Sequence, residues 1–197
     1  MVKIYAIAIG EKNPDFVSSR IQSFLSHKHG VEVNWSHCGI LVEGHPVPRF
    51  NGVWDSTGRG FERCSLDEAL DHGQAVIRHQ VPLAVENTWA AVGWCRGNVG
   101  RWYARAQYIL YFIPHWGRTV LGYILPGFIK KLFANGRALQ VCSESLHYFM
   151  LDNVPGAEEV LKAAGGGDTT DPFQAIFAAY HLHDGAVPAS MVPRDGD

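Results

Sequence analysis

The stretch VNWSHCGILVEG, residues 33–44, predicts a β-strand that ends in a turn. Successive side chains of a strand point to opposite faces of a sheet, so His37 shares a face with Gly39 and Leu41. Cys38 points the other way. Gly39 carries no side chain and leaves room for a neighbouring group to approach closely. The stretch therefore places an imidazole on one strand face, next to an open position.

Further strand patterns surround this stretch, and helix patterns lie on both sides of them. The order predicts an α+β fold, with a central antiparallel sheet flanked by helices. The other predicted strands are VKIYAIAIG (2–10), GVWDSTG (52–58), GFERCS (60–65) and QAVIRHQVP (74–82). The predicted helices are 13–27 with Asn13 as cap, 65–73 with a capping box of Ser65 and Glu68, 83–98, 101–114, one that begins at Cys142, 155–167, and 168–180 with Asp171 as cap and Pro172 in the first turn.

The 197 residues are predicted to form one domain over 1–183, followed by a flexible tail over 184–197. An apolar insertion covers about 115–138. It either adds a helical layer to the core or exposes apolar surface to an acyl chain or a membrane. We favour the helical layer, because one amphipathic segment is a weak signal of membrane contact.

Composition removes several classes of function. The net charge of −2 shows no nucleic-acid footprint. The ten histidines form no CxxC- or HExxH-type pattern, so we predict neither a metal site nor another cofactor. The four cysteines have no paired spacing, and the N-terminal apolar run is too short for a signal peptide. We therefore expect a chain without a membrane span that is cytoplasmic when made, with delivery by a phage particle or secretion system left open.

Cys142 lies at the start of a predicted helix in LQVCSESLHYFM, residues 139–150. Leu146, Phe149 and Met150 follow at helical spacings. A thiol at a helix N-terminus can have a depressed pKa and act as a nucleophile. The alternative is that Cys142 is a small buried hydrophobe.

A nucleophilic thiol needs an imidazole beside it and a third group that orients the imidazole. His37 is on a predicted strand, and the next strand, GVWDST, carries Asp55. Each residue also has an ordinary explanation, as a hydrogen-bonded core histidine and a turn-forming aspartate. Together with Cys142, however, the two fit one catalytic template.

The order His, acid, Cys resembles the circularly permuted branch of the papain-like NlpC-type cysteine peptidase superfamily, which includes YiiX/YebB-like hydrolases and lecithin:retinol acyltransferase-like proteins. The resemblance covers roughly residues 33–180 and implies a permuted papain-like fold. The segments that carry it are SHCGILV (36–42), VWDSTGRGFERCSLDEAL (53–70), VGRWY (99–103), VCSES (141–145) and DTTDPFQAI (168–176).

This resemblance implies that Cys142 is the nucleophile, His37 the base and Asp55 the orienting residue. Many relatives carry Glu or His at the third position, so Glu43 and His45 stay as alternatives to Asp55. The chain also departs from the family in having YA where YD is common, at 103–104, and in its longer insertion. Tyr103 is a candidate substrate-binding residue, or a packing aromatic on a helix. Trp35, on the predicted face of His37, is a second candidate for substrate binding.

The expected activity is hydrolysis of an amide bond, in a peptide or a cell-wall peptide, through a thioacyl-enzyme. Two alternatives remain. One is a lipid or thioester acyl hydrolase or acyltransferase with the same triad, and the other is an inactive binding or assembly module. The partner is then a peptide or acyl substrate, and the sequence does not specify an oligomeric state.

Overall fold

A computed structural model describes residues 1–57, 59–103, 139–140, 142–165, 170–183 and 187–192, with 102–103 and 139–140 described through their backbone only. Three short 3-10 turns, Pro48–Phe50, Asp71–Gly73 and Ala189–Met191, accompany the regular elements. These elements are, in chain order, β1 (Lys3–Glu11), α1 (Phe16–His29), β2 (His37–Glu43), β3 (Gly52–Thr57), β4 (Gly60–Cys64), α2 (Leu66–Ala69), β5 (Ala75–Pro82), α3 (Thr88–Asn98), β6 (Trp102–Tyr103), β7 (Leu139–Gln140), α4 (Cys142–Asn153), α5 (Ala157–Ala163) and α6 (Pro172–Leu182).

Five strands form one antiparallel sheet in the order β4-β3-β2-β1-β5. β2 lies at its centre and pairs along its whole length with β1, from Ile9 opposite His37 to Lys3 opposite Glu43. β3 and β4 form the hairpin that the sequence predicted. The α+β class and the antiparallel sheet are confirmed.

The two faces of β2 enter different cores. Cys38, Ile40 and Val42 lie in the main core together with residues of the helices, whereas Leu41 lies in a smaller cluster on the other face of the sheet. The predicted alternation of β2 is thus confirmed. It does not extend to Trp35, which joins the main core, because the strand begins only at His37.

Helix α4 packs its apolar side into this main core. Leu146, Phe149 and Met150 are fully buried there, as the helical spacing predicted. The Ser145 hydroxyl hydrogen-bonds the Ser56 hydroxyl of β3, which attaches the first turn of the helix to the sheet. Directly before the helix, β7 pairs in parallel with β6. The start of α4 is therefore held by a strand pair on one side and by the sheet on the other.

Three local predictions need correction. Helix α1 is capped by Asp15, not Asn13, since the Asp15 carboxylate accepts a hydrogen bond from the Ser18 N–H at 2.7 Å. Helix α3 begins only at Thr88, capped by the Asn87 side chain. Residues 102–103 form a strand instead of a helix, because they pair with residues 139–140 far along the chain. The rest of that predicted helix and the insertion at 115–138 lie outside the described residues.

Part of the expected C-terminal tail packs against the domain. Within the described residues 187–192, a 3-10 turn covers Ala189–Met191, and the Met191 side chain is fully buried in the main core. The few apolar residues of the tail follow neither a helix nor a strand period, so the sequence did not predict this packing. Its burial extends the domain beyond the predicted limit at residue 183.

Asp171 joins α6 to the end of α1. Its carboxylate caps α6 by accepting from the Gln174 N–H at 2.9 Å, and it also bonds Lys28 Nζ at 2.6 Å and His29 Nε2 at 2.9 Å. Burial alone raises the pKa of this carboxyl, but the hydrogen bonds from His29, Lys28 and Gln174 outweigh burial and lower the pKa. The cap at Asp171 was predicted from sequence, and its bonds to Lys28 and His29 were not.

We expect Asp171→Asn to destabilise the protein by roughly 1–3 kcal/mol at pH 7. Because the carboxyl pKa is lowered in the folded state, its contribution is present above the unfolded pKa of about 3.9 and is lost as the pH falls through the folded value. Urea unfolding between pH 7 and pH 3 should show the variant and the wild type converging at the acid end.

Asp15→Asn is the matched control, because Asp15 is also an N-cap aspartate but lies at the surface. Asparagine caps a helix about as well as aspartate, so this control should change stability little at any pH. A stability gap for Asp171→Asn that stays constant down to pH 3 would contradict the ionic role of Asp171.

Candidate active site

His37 and Asp55 form a direct pair at the end of the sheet. His37 Nε2 lies 2.7 Å from Asp55 Oδ2. The Asp55 carboxylate is buried, while 26% of the His37 side chain is exposed. Because Asp55 holds Nε2, the ring presents Nδ1 to a third group. A general base needs this orientation, in which one ring nitrogen bonds a carboxylate and the other faces the nucleophile.

The pair lies where β2 and β3 separate. β3 pairs with β2 at Ile40, Leu41 and Val42, and His37 lies three residues before Ile40, outside this pairing. A Cβ added at Gly39 would lie 3.0 Å from the Asp55 Cβ and 3.2 Å from the Trp54 carbonyl oxygen. The close approach expected at Gly39 is therefore made by β3, and it brings Asp55 within reach of the imidazole.

Cys142 completes the cluster from the first turn of α4. The Cys142 side chain interacts with the Cys38 side chain, the His37 ring and the Cys38 backbone, and these interactions lower its pKa. Cys142 is 1% exposed, so His37 is the more exposed of the two groups. The structure thus brings together all three residues that the sequence selected for the triad.

Electrostatics in this cluster favour a thiolate beside an imidazolium. The hydrogen bond from Cys38 lowers the pKa of Cys142, burial opposes this shift, and His37 lowers the pKa further, so that the net value is well below that of an ordinary thiol. Burial lowers the pKa of His37, but the charges of Cys142 and Asp55 outweigh burial and raise it. Each charge therefore stabilises the other.

Cys38 is the member of the cluster that sequence reasoning missed. Burial, together with its hydrogen bond to Cys142 and the charge there, holds the pKa of Cys38 well above that of an ordinary thiol. Cys38 therefore keeps its proton and can direct its S–H toward the Cys142 sulfur. Strand alternation places Cys38 on the face opposite His37, but it does not tell which helix packs on that face.

The two alternatives for the third residue lie elsewhere. Glu43 ends β2, six residues beyond His37 and roughly 20 Å away along the strand. His45 Nδ1 accepts a hydrogen bond from the Val47 N–H at 3.0 Å, and its ring packs edge-on against Trp89. Among the three candidates, the structure places only Asp55 against His37.

The two predicted substrate-binding residues have different outcomes. Trp35 is buried in the main core, edge-on to His79 and stacked on Phe173, so the structure does not bring it to an open surface. The backbone of Tyr103 pairs with that of Gln140 in the β6–β7 ladder. The Tyr103 side chain lies outside the described part of the chain.

A separate groove of about 440 Å³ lies at the other end of α4, lined in part by Asp152, Glu158 and Glu159. A helix rises 1.5 Å per residue, so this end of α4 is roughly 15 Å from Cys142. The groove therefore does not belong to the cluster around Cys142.

In the ranges that the structure describes, no group of three or more His, Cys, Asp or Glu side chains is arranged to hold a metal ion. No helix in those ranges is both long enough and apolar enough to cross a membrane. Comparison with known proteins found no match to a family model, to a curated protein or to a solved structure.

Proposed function

We propose that this chain is a cysteine-dependent hydrolase of amide bonds, with Cys142 as nucleophile, His37 as general base and acid, and Asp55 as the residue that orients His37. The observation that carries the proposal is the position of the His37 ring, which lies 2.7 Å from the Asp55 carboxylate and interacts with the Cys142 side chain. A core histidine needs a hydrogen-bond partner, but it does not need a buried thiol with a lowered pKa as a second partner.

Each catalytic step has a group in this cluster. The Cys142 thiolate attacks the carbonyl carbon, and the resulting oxyanion is stabilised by backbone N–H groups at the start of α4. The imidazolium of His37 gives its proton to the leaving nitrogen as the C–N bond breaks. A thioacyl-enzyme remains. His37 then takes a proton from water, which attacks the thioester and restores the thiolate.

The proposal extends to the permuted papain-like arrangement on the same grounds. A helix with the thiol at its start packs on an antiparallel sheet, and neighbouring strands of that sheet supply the imidazole and the carboxylate. This supports the arrangement that the sequence resemblance implies. The lipid-directed alternative depends on the insertion at 115–138, which lies outside the described residues.

We expect Cys142→Ala to abolish hydrolysis, with a loss of kcat of about 10³-fold or more. Asp55→Asn keeps the shape of the side chain but removes its charge, so a loss of roughly tenfold or more is expected. The measurement is hydrolysis of a panel of peptide and cell-wall peptide amides, with esters and thioesters of the same acyl groups. Mass spectrometry of the quenched reaction should show acylated Cys142.

Cys95→Ala is the matched control, because Cys95 is also buried but lies on α3, apart from the cluster. This variant should keep wild-type kcat. If the protein turns over esters or thioesters but not amides, the amide hydrolase proposal is wrong. An acyl hydrolase or acyltransferase with the same triad would then take its place. Activity that survives in Cys142→Ala would remove Cys142 from the mechanism.

A further inference from the structure

Cys38 and Cys142 are far apart in the chain but lie in one buried core, where α4 packs on β2. Cys38 is the second residue of β2, opposite Ala8 of β1, and is fully buried. Cys142 is the first residue of α4 and is 1% exposed. The side chains of the two cysteines interact, and each shifts the pKa of the other. A disulfide between them would require the two sulfurs to approach to about 2.05 Å.

The other two thiols are placed differently. Cys64 on β4 hydrogen-bonds the Val53 carbonyl oxygen at 3.8 Å, and partial burial raises its pKa to about 12. Cys95 is buried on α3, and burial raises its pKa further. Both therefore stay protonated near neutral pH and react poorly with oxidants. Reaction with an oxidant should begin at Cys142.

We propose that Cys38 is the resolving thiol for Cys142, so that oxidation of Cys142 by a hydroperoxide ends in a reversible Cys38–Cys142 disulfide. This inference rests on the proposed function, because it requires the Cys142 thiolate. The disulfide would occupy the nucleophile and stop hydrolysis, and it would also keep Cys142 from irreversible oxidation to the sulfinic acid. The chemical class of the partner is a small hydroperoxide, and a dithiol restores the active form.

The chemistry balances in two steps. The Cys142 sulfur attacks the peroxide, an S–O bond forms, the O–O bond breaks, and hydroxide or an alkoxide leaves. Cys142 becomes a sulfenic acid, oxidised by two electrons as the peroxide is reduced. The Cys38 sulfur then attacks the Cys142 sulfur, the S–S bond forms, the S–O bond breaks, and the oxygen leaves as water with the Cys38 proton. The negative charge of Cys142 raises the pKa of Cys38. Oxidation removes this charge, so Cys38 releases its proton more easily.

The test treats the full chain with hydrogen peroxide, blocks remaining thiols with N-ethylmaleimide, and maps the peptides by mass. We expect a cross-linked pair of peptides carrying Cys38 and Cys142, lighter by two hydrogen atoms and reversed by dithiothreitol. Cys64 and Cys95 should remain labelled. In Cys38→Ser, a hydroxyl still donates toward Cys142 but no disulfide can form, so Cys142 should proceed to a sulfinic acid that dithiothreitol does not reverse. Cys95→Ser should behave as the wild type.

Iodoacetamide labelling of untreated protein separates this inference from the proposed function. If Cys142 is alkylated in a manner that depends on His37, but peroxide yields the sulfinic acid or leaves Cys142 unchanged in the wild type, the role of Cys38 is overturned and the proposed function stands. If Cys142 reacts with neither reagent, both proposals fail. Cross-linking of Cys142 to Cys64 or Cys95 instead of Cys38 would also overturn the inference.

Discussion

His37→Ala should lower the rate at which iodoacetamide alkylates Cys142 at pH 6 by about tenfold or more. The imidazolium contributes to the low pKa of Cys142, together with Cys38, so its removal leaves more of the sulfur protonated. Each unit of pKa changes the thiolate fraction tenfold below the pKa, and a more basic thiolate recovers part of that loss through higher nucleophilicity. The measurement is the rate against pH from 4 to 10, with the site located by peptide mass.

His72→Ala is the matched control for this experiment. His72 also bonds an aspartate at 2.7 Å, through Nδ1 to Asp67, and this pair is exposed at the surface. Its loss should leave the alkylation profile of Cys142 unchanged. The catalytic proposal fails if Cys142 is inert in the wild type, or if its profile is the same with and without His37.

Phe149→Ala should destabilise the protein by about 3–5 kcal/mol, which is a large part of the 5–15 kcal/mol that typically stabilises a domain. Phe149 is fully buried on the core side of α4, with its ring edge-on to Trp94 at 5.5 Å between centroids. Truncation removes apolar contacts and leaves a cavity beneath the helix that carries Cys142. Urea unfolding followed by circular dichroism measures the change.

Phe16→Ala is the control of identical chemistry, because the Phe16 side chain at the start of α1 is 72% exposed. It should change stability by no more than about 0.5 kcal/mol. A loss below about 1 kcal/mol for Phe149→Ala would mean that α4 does not depend on this contact, contrary to the packing described for it.

The agreement between sequence and structure is best where neighbouring residues interact. Ser65 and Glu68 form the predicted capping box, and Asp171 and Pro172 begin α6 as expected. The alternation of β2 and the buried face of α4 also follow from the spacing of apolar residues. Helix boundaries are less accurate: the caps at Asp15 and Asn87 both lie further along the chain than the predicted starts.

For the candidate site, the sequence supplied the residue types and tertiary structure supplied their contacts. His37, Asp55 and Cys142 were selected because a thiol at a helix start needs an imidazole and a supporting acid. The choice of Asp55 over Glu43 or His45 depends on the close approach of β3 to Gly39. This approach is a tertiary contact, and the sequence alone does not reveal it.

By itself, then, the sequence determined the α+β class, the alternation of β2 and the buried side of α4, because these depend on periodicity. It also supplied the candidates for the triad, because a nucleophilic thiol needs an imidazole and a supporting acid. Tertiary structure alone decided that Trp35 is buried, that residues 102–103 pair with 139–140, and that Cys38 contacts Cys142. These contacts join residues far apart in the chain. They depend on how whole elements pack, and local pattern carries no information about that packing.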